Sequence, residues 1–318
     1  MKITGRKLGP NFALKIGVCG LASPSEPVRF RRALREINRL GHEVKVPFDP
    51  SKFYGSKRFL FGCASVSTRV RALEELFSDK SVHAIVSSRG GYSSMELLGK
   101  LNYSKIEKNP KPFVGFSDIT AILVALYQKS GVPVIHGPGI EGGFGEYSKS
   151  AERKKSADTL LALLEGDLPD ILTKLPGKLL AGRNREARAP IVGGNLAILA
   201  SLLGTSYQLD CAGKILFLED VGEKPYRIHR QLMQLRLAGC FKKVKGIYLG
   251  NFSNCIDPNK NAPTMLEVVK DSFREAPFPV VGFGPFGHEA LNLPLPFGVS
   301  ARLSGKGLEL LSAMFHSR

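Results

Sequence analysis

The sequence predicts an α/β protein whose N-terminal half is a doubly wound parallel sheet, and three observations predict it. Strand-length apolar runs alternate with helical segments from residue 13 to residue 139. Those runs are apolar along their whole length, which suits strands covered on both faces. They end in small-residue turns such as GLASP, SRGGY and HGPG, the punctuation of strand-to-helix connections.

In order, ALKIGVCGLASP (13–24) reads as a buried strand ending in such a turn. EPVRFRRALREINRLGH (26–42) has helical spacing at Val28, Ala33, Ile37 and Leu40, with Gly41 placed to end the helix. HEVKVPFD (42–49) is a strand, and TRVRALEELFSD (68–79) a helix with Val70, Leu73 and Leu76 on one face. VHAIVSSRGGY (82–92) is a strand running into a glycine turn, followed by SMELLGKL as helix and PFVGF as strand. The 118–130 helix is apolar nearly all round and should be buried, and VPVIHGPG (132–139) is the next strand. Such an open, flavodoxin-like sheet carries its site at the carboxyl ends of its strands.

From 141 to 190 the composition turns polar, with one short helix at ADTLLALLEG. This reads as a connection, giving a first domain over 1–150, a linker over 151–188 and a second domain over 189–318. The second domain opens with IVGGNLAILASLLG (191–204), read as a glycine turn into a helix. Strands follow at KILFLEDVG (214–222), KGIYLGNF (245–252) and PVVGFGPFG (279–287), with helices at 226–238 and near 264–275. Ser-Gly-Lys-Gly in GVSARLSGKGLELLS (298–312) is a hairpin turn.

Composition narrows the class. A chain of 318 residues that is 43% hydrophobic and 23% charged has ample material for buried cores. Its 45 basic against 28 acidic residues give a net charge of +17. The densest basic groups are Arg29, Arg31, Arg32 and Arg35; Arg153 to Lys155; Arg183, Arg185 and Arg188; and Lys242, Lys243 and Lys245. None is interleaved with aromatics, so the charge reads as solvated surface with a bias towards acidic ligands, and no nucleic-acid partner is expected. Five cysteines without CxxC spacing fit a reducing compartment. No His/Cys/carboxylate cluster has ligand spacing, so neither a metal nor another cofactor is expected. MKITGRKLGPNFALKIGV lacks a long apolar stretch, which predicts a cytoplasmic protein without a membrane anchor.

The chemistry centres on VGFSDITAIL (114–123), where Ser117 and Asp118 sit at a strand-to-helix joint. Two readings stand: a helix cap, the commoner use of such residues, or a nucleophile on an elbow with amides aimed at an oxyanion. The Gly-x-Ser-x-Gly pattern is incomplete, because Ile119 stands at the second glycine position. A serine nucleophile needs a base and an orienting carboxylate. Of the six histidines, His42 and His83 begin strands and read as surface residues, His229 lies beside Arg227 and Arg230, and His316 is in the tail. That leaves His136 in VPVIHGPG and His288 in the Gly/Pro-rich loop GFGPFGHEALNLPLPFG. Glu219, ending the strand ILFLE, needs a buried partner, either a catalytic histidine or an arginine in a structural ion pair.

Taken together, SSRGGYSSMELL (87–98), VGFSDITAIL, HGPG (136–139), PIVGGNLAIL (190–199), LFLEDVGEKPYRIHRQLMQLRLAG (216–239) and GFGPFGHEALNLPLPFG (282–298) match a family in order and spacing. They resemble the LD-carboxypeptidase family of serine peptidases, the murein tetrapeptide carboxypeptidases and their microcin-immunity relatives, from about residue 13 to residue 312. The resemblance implies a triad of Ser117, Glu219 and His288, and an oxyanion hole from the amide of Asp118 and one in the Gly90–Gly91 turn. It implies a smaller, β-rich C-terminal domain carrying Glu219 and His288, a homodimer, and removal of the terminal D-alanine from an anionic murein tetrapeptide during cell-wall recycling. The substrate's terminal carboxylate needs a cation, for which Arg89 and Arg236 are candidates. A microcin-immunity activity on peptidyl nucleotides is the alternative within the family, disfavoured because the chain has no tryptophan. A non-catalytic basic binding protein is supported only by the charge. The sequence departs from the family pattern at Ser93, Glu96, Ala197 and Glu289, which bears on substrate preference.

Overall fold

The computed structural model describes residues 12–183, 186–259 and 261–313. The expectations for residues 1–11, Arg185 and His316 lie outside the described residues. The chain divides into two compact units, one built on residues up to Asp167 with Leu293–Leu295, the other on Leu168–Asn292 with Pro296–Ala313.

The first unit alternates as expected. It holds β1 (Lys15–Cys19), α1 (Pro27–Arg39), β2 (Glu43–Lys45), α2 (Val66–Ser78), β3 (Ala84–Ser87), α3 (Tyr103–Glu107), β4 (Phe113–Gly115), α4 (Thr120–Ser130), β5 (Val134–His136), α5 (Ile140–Gly143) and α6 (Ala151–Glu165). The strand order β2-β1-β3-β4-β5 is parallel throughout, and a short strand beginning at Leu295 lies beside β5. Residues Thr120 to Leu126 of α4 are all buried, as its all-round apolarity requires. In α1 the buried face is Phe30, Ala33 and Ile37, while Val28 is 52% exposed. Val28 lies two residues from Phe30, about 200° round the helix, so only one of them faces the core and the larger wins. The face of α2 is rotated in the same way: Arg69, Ala72, Leu73, Leu76 and Phe77 are buried and Val70 lies at the edge. His42 is buried and His83 half-buried, contrary to the surface reading. Their Nδ1 atoms accept from the amides of Leu14 (3.2 Å) and Lys15 (2.8 Å), pinning the start of β1.

Residues 151–188, expected to connect two domains, hold regular elements and contain the division between the two units at Asp167 and Leu168. Ser150 caps α6 by accepting from the Arg153 amide at 3.2 Å, and Leu160, Leu161, Leu163 and Leu164 are buried. The segment then supplies β6 (Leu175–Pro176), β7 (Lys178–Gly182) and the start of β8 (Ala187–Asn195). Its polar residues are the outer faces of packed elements.

The chain continues with α7 (Leu196–Ser201), β9 (Ile215–Val221), α8 (Pro225–Leu237), β10 (Gly246–Ser253), α9 (Met265–Ser272), β11 (Pro279–Gly282), β12 (Leu295–Pro296), β13 (Ser300–Ser304) and β14 (Gly307–Leu310). β12 is the short strand placed beside β5 above. The eight-stranded sheet runs β6-β14-β13-β8-β9-β10-β11-β7. Its centre, β8 to β11, is parallel and its flanks are antiparallel, including the expected β13–β14 hairpin. Its two edge strands, β6 and β7, are separated in the chain only by Gly177, so the sheet curls until its edges adjoin. The Leu179 amide closes the seam on the Gly305 carbonyl at 3.1 Å.

Of the glycine turn and helix expected over 191–204, the helix is α7, while Gly193 and Gly194 lie within β8. A Cβ at Gly193 would stand 1.9 Å from the Phe217 carbonyl oxygen, so the glycine admits β9 at close range. Gly193→Ala is expected to cost about 3 kcal/mol of stability through overpacking, read from its denaturation midpoint; a midpoint equal to wild type would contradict this. The five cysteines are buried free thiols, and burial pushes Cys63 up to about 12 and Cys255 up to about 11. Among the described residues, no helix is long and apolar enough to cross a membrane.

Candidate active site

Ser117 follows β4 and opens a 3-10 turn, Ser117–Ile119, that leads into α4. Its φ is +61°, a left-handed conformation that a residue with a Cβ adopts at a cost of order 1 kcal/mol. The residue preceding the turn is Phe116, and neither that turn nor α4 receives a side-chain cap. Ser117 is therefore an elbow and not a cap. The missing second glycine is accounted for by packing, since the Ile119 side chain fills the space above Gly115, where a Cβ would meet its Cγ2 at 2.5 Å.

Asp118 does not cap either. Its carboxylate accepts from the Ser94 amide at 2.9 Å and its carbonyl from the Ser94 hydroxyl at 2.7 Å. Burial raises its pKa, opposed by the Ser94 bonds. These bonds tie the elbow to the loop after β3, which carries Gly90 and Gly91. Gly90 abuts Ser117: a Cβ there would lie 3.0 Å from Ser117 Cβ and 3.2 Å from its Oγ. Gly91 has a φ of +112°, and a side chain on it would strike Ser23. The unit thus brings together Ser117, Asp118, Gly90 and Gly91. Arg89 starts beside them but pairs elsewhere, its Nε 3.8 Å from the buried Glu141 carboxylate and its Nη1 3.4 Å from the Pro24 carbonyl. His136 is wholly buried in β5, opposite Gly115 in register and edge-on to Phe116 at 6.1 Å.

In the second unit, Glu219 is completely buried on β9 and its Oε2 lies 2.7 Å from His288 Nδ1. The alternative of an arginine ion pair for Glu219 is replaced by this bond. The loop reaches Glu219 because Gly287, at φ +120°, has no side chain; a Cβ there would stand 3.2 Å from Glu219 Oε2. The Asn292 side chain accepts from the Gly287 amide at 3.0 Å and fixes the loop's return. With Nδ1–H directed at the carboxylate, the neutral ring carries its basic lone pair on Nε2. Arg236 is not at this site. It is exposed near the end of α8, eleven residues from the helix start that follows β9, and the chain beyond it bonds the beginning of β9 through Lys245 and Lys214.

Sequence reasoning missed three residues. Asp220 is buried beside Glu219 and accepts from Asn195 Nδ2 (3.0 Å), the Ala197 amide (2.9 Å) and the Val221 amide (2.8 Å). Burial pushes its carboxyl up to about 6, against those hydrogen bonds and with the Glu219 charge adding to the rise. Asn195 caps α7 through the Ile198 amide at 3.2 Å. Arg69 is fully buried on α2; its signal was an arginine one helical turn from Leu73 and two from Leu76, on the apolar face.

Residues 16–137 match the LD-carboxypeptidase N-terminal domain and residues 188–303 the LD-carboxypeptidase C-terminal domain. The chain belongs to the LD-carboxypeptidase family. It is 31% identical over 295 residues to a probable murein peptide carboxypeptidase of Bacillus subtilis, covering 91% of this chain and 88% of that one. It is 34% identical over 255 residues to the murein tetrapeptide carboxypeptidase of Pseudomonas aeruginosa, covering 79% and 82%. The structure of a microcin self-immunity protein superposes with a TM-score of 0.84 over 99% of this chain and 100% of that one, at 23% identity, and so shares the fold.

Two of the departures from the family pattern now have partners. Ala197 leaves its amide to Asp220, and Glu289 acts on His288. Burial lowers the His288 pKa, but the Glu219 hydrogen bond and the charges of Glu219, Asp220 and Glu289 outweigh it, so the net shift is upward. A histidine base works when neutral, so kcat/KM is expected to rise with pH through a midpoint above the ordinary histidine value of about 6.5. Glu289→Gly removes a charge that favours the imidazolium and should move that midpoint to lower pH. A pH–rate profile checks it, and an unmoved or higher midpoint contradicts it.

Proposed function

We propose that this LD-carboxypeptidase is a serine enzyme that hydrolyses the amide bond between an L-configured centre and the terminal D-alanine of a murein tetrapeptide. Ser117 Oγ attacks the carbonyl carbon while His288 Nε2 takes its proton and returns it to the leaving D-alanine amine. Glu219 holds the imidazole in the reactive tautomer and stabilises the imidazolium. The amides of Asp118 and of the Gly90–Gly91 turn receive the oxyanion. Water then repeats the attack on the acyl-enzyme with the same base. The observation that carries this reading is the Ser117 backbone: a non-glycine residue is held at φ +61° while capping nothing, and such strain persists where it serves chemistry. The relatives' activities and the Glu219–His288 bond support it further.

Arg89, which adjoins the Gly90–Gly91 turn and lies 3.8 Å from Glu141, and Arg236, near the end of α8, are the candidate cations for the substrate carboxylate. The same reading sets the reaction in the cytoplasm, on recycled wall fragments, in a homodimer. Mass spectrometry of a muropeptide mixture before and after incubation tests it. Tetrapeptides should become tripeptides with release of D-alanine, and tripeptides should persist. An unchanged mixture would overturn the proposal.

A further inference from the structure

The Arg69 guanidinium is buried where three loops of the first unit converge, those after β1 and β3 and the one before α2. Its Nη1 donates to the Leu21 carbonyl (2.9 Å) after β1, and to the Ser93 carbonyl (3.2 Å) and hydroxyl (3.0 Å) after β3. Its Nη2 pairs with the Glu96 carboxylate at 2.5 Å. Gly62, in the loop before α2, passes so close that a Cβ there would lie 3.0 Å from the guanidinium carbon. Ser93 is itself left-handed, at φ +88°. Ser94, its neighbour, makes the two bonds to Asp118, and Ser23 Oγ accepts from the Tyr92 amide at 3.1 Å.

The chain from Gly90 to Glu96 is thus clamped at both ends. One end bears the oxyanion turn against Ser117, and the other is fastened to Arg69. Two of the sequence's departures from its family, Ser93 and Glu96, are both ligands of this one cation. A buried guanidinium is a poor source of stability, because desolvation offsets its attraction to a partner and apolar residues of equal volume often do as well. A planar fork of donors does fix geometry.

We propose that Arg69, with Glu96 and Ser93, is a positioning residue that sets the oxyanion turn at Gly90–Gly91 and the nucleophile elbow at Ser117. This deepens the proposed function and rests on it for its kinetic arm. Arg69→Met keeps the volume and removes the fork. It should lower kcat for D-alanine release at least tenfold per folded molecule with KM within about threefold. Arg69→Lys keeps the charge without the fork and should restore only part of kcat. Should Arg69→Met fail to fold, Glu96→Gln, on a half-exposed side chain, reads the same effect more mildly, lowering kcat severalfold.

A second readout needs no substrate. Hydrogen exchange of the amides in residues 90–98 and 117–120 should quicken in Arg69→Met or Glu96→Gln while that of β1 and β3 stays as in wild type. Wild-type exchange in those segments would overturn the proposal, as would wild-type kcat in folded Arg69→Met and Glu96→Gln. If wild-type protein leaves muropeptides untouched yet the exchange changes as described, the substrate reading fails and the clamp stands.

Discussion

Ser117→Ala is expected to abolish D-alanine release, with a rate loss of about 10⁴-fold or more, while the protein unfolds at nearly the wild-type denaturant concentration. The stability side follows from the geometry. Ser117 caps neither the 3-10 turn nor α4, so the cost of about 1 kcal/mol for removing a helix cap does not apply. Alanine also keeps the Cβ that contacts Gly90. The kinetic side follows from chemistry, because no other atom at the elbow supplies the attacking electron pair. A purified Ser117→Ala protein that turns over tetrapeptide at the wild-type rate would end the nucleophile assignment. One that is inactive because it is unfolded would show that the serine was structural.

Glu219→Gln is expected to lower kcat/KM by about 10³-fold or more with the fold intact. Glutamine fills the same volume beneath Gly287, but its amide no longer presents a charged acceptor to His288 Nδ1. The imidazole then loses its preferred tautomer and the partner that stabilises its cation. His288→Ala should be at least as damaging, and the double variant scarcely worse than His288→Ala alone, because triad members act as a unit. His136→Ala is the contrasting case. His136 is wholly buried behind the elbow, so its loss should reduce stability more than intrinsic rate. If His136→Ala abolishes activity and His288→Ala spares it, the wrong histidine has been assigned.

Much of this was legible in the residues. The alternation of β1 to β5 with their helices was readable because parallel strands are apolar along their length and their turns are marked by glycine. The β13–β14 hairpin was readable from Ser-Gly-Lys-Gly. In the segment 151–188 the helix was legible at ADTLLALLEG, but the strands β6 and β7 were not, because they are short and mostly half-buried. Gly193 was misread as a turn because a glycine that admits a neighbouring strand and one that bends the chain look alike in one dimension. Arg69 was passed over since an arginine in a helix is ordinarily solvated.

The sequence by itself determined the α/β class, the order of the elements and the short list of chemical candidates, because periodicity and turn residues are local properties. It left Ser117 undecided between cap and nucleophile, and Glu219 undecided between histidine and arginine. The tertiary structure removes the cap at Ser117 and gives Glu219 a histidine partner. A φ of +61° at Ser117, a 2.7 Å bond from Glu219 to His288 and a buried guanidinium joining three loops all depend on which backbone passes within 3 Å of which side chain. That distance is set by residues far apart in the chain, and no local pattern encodes it.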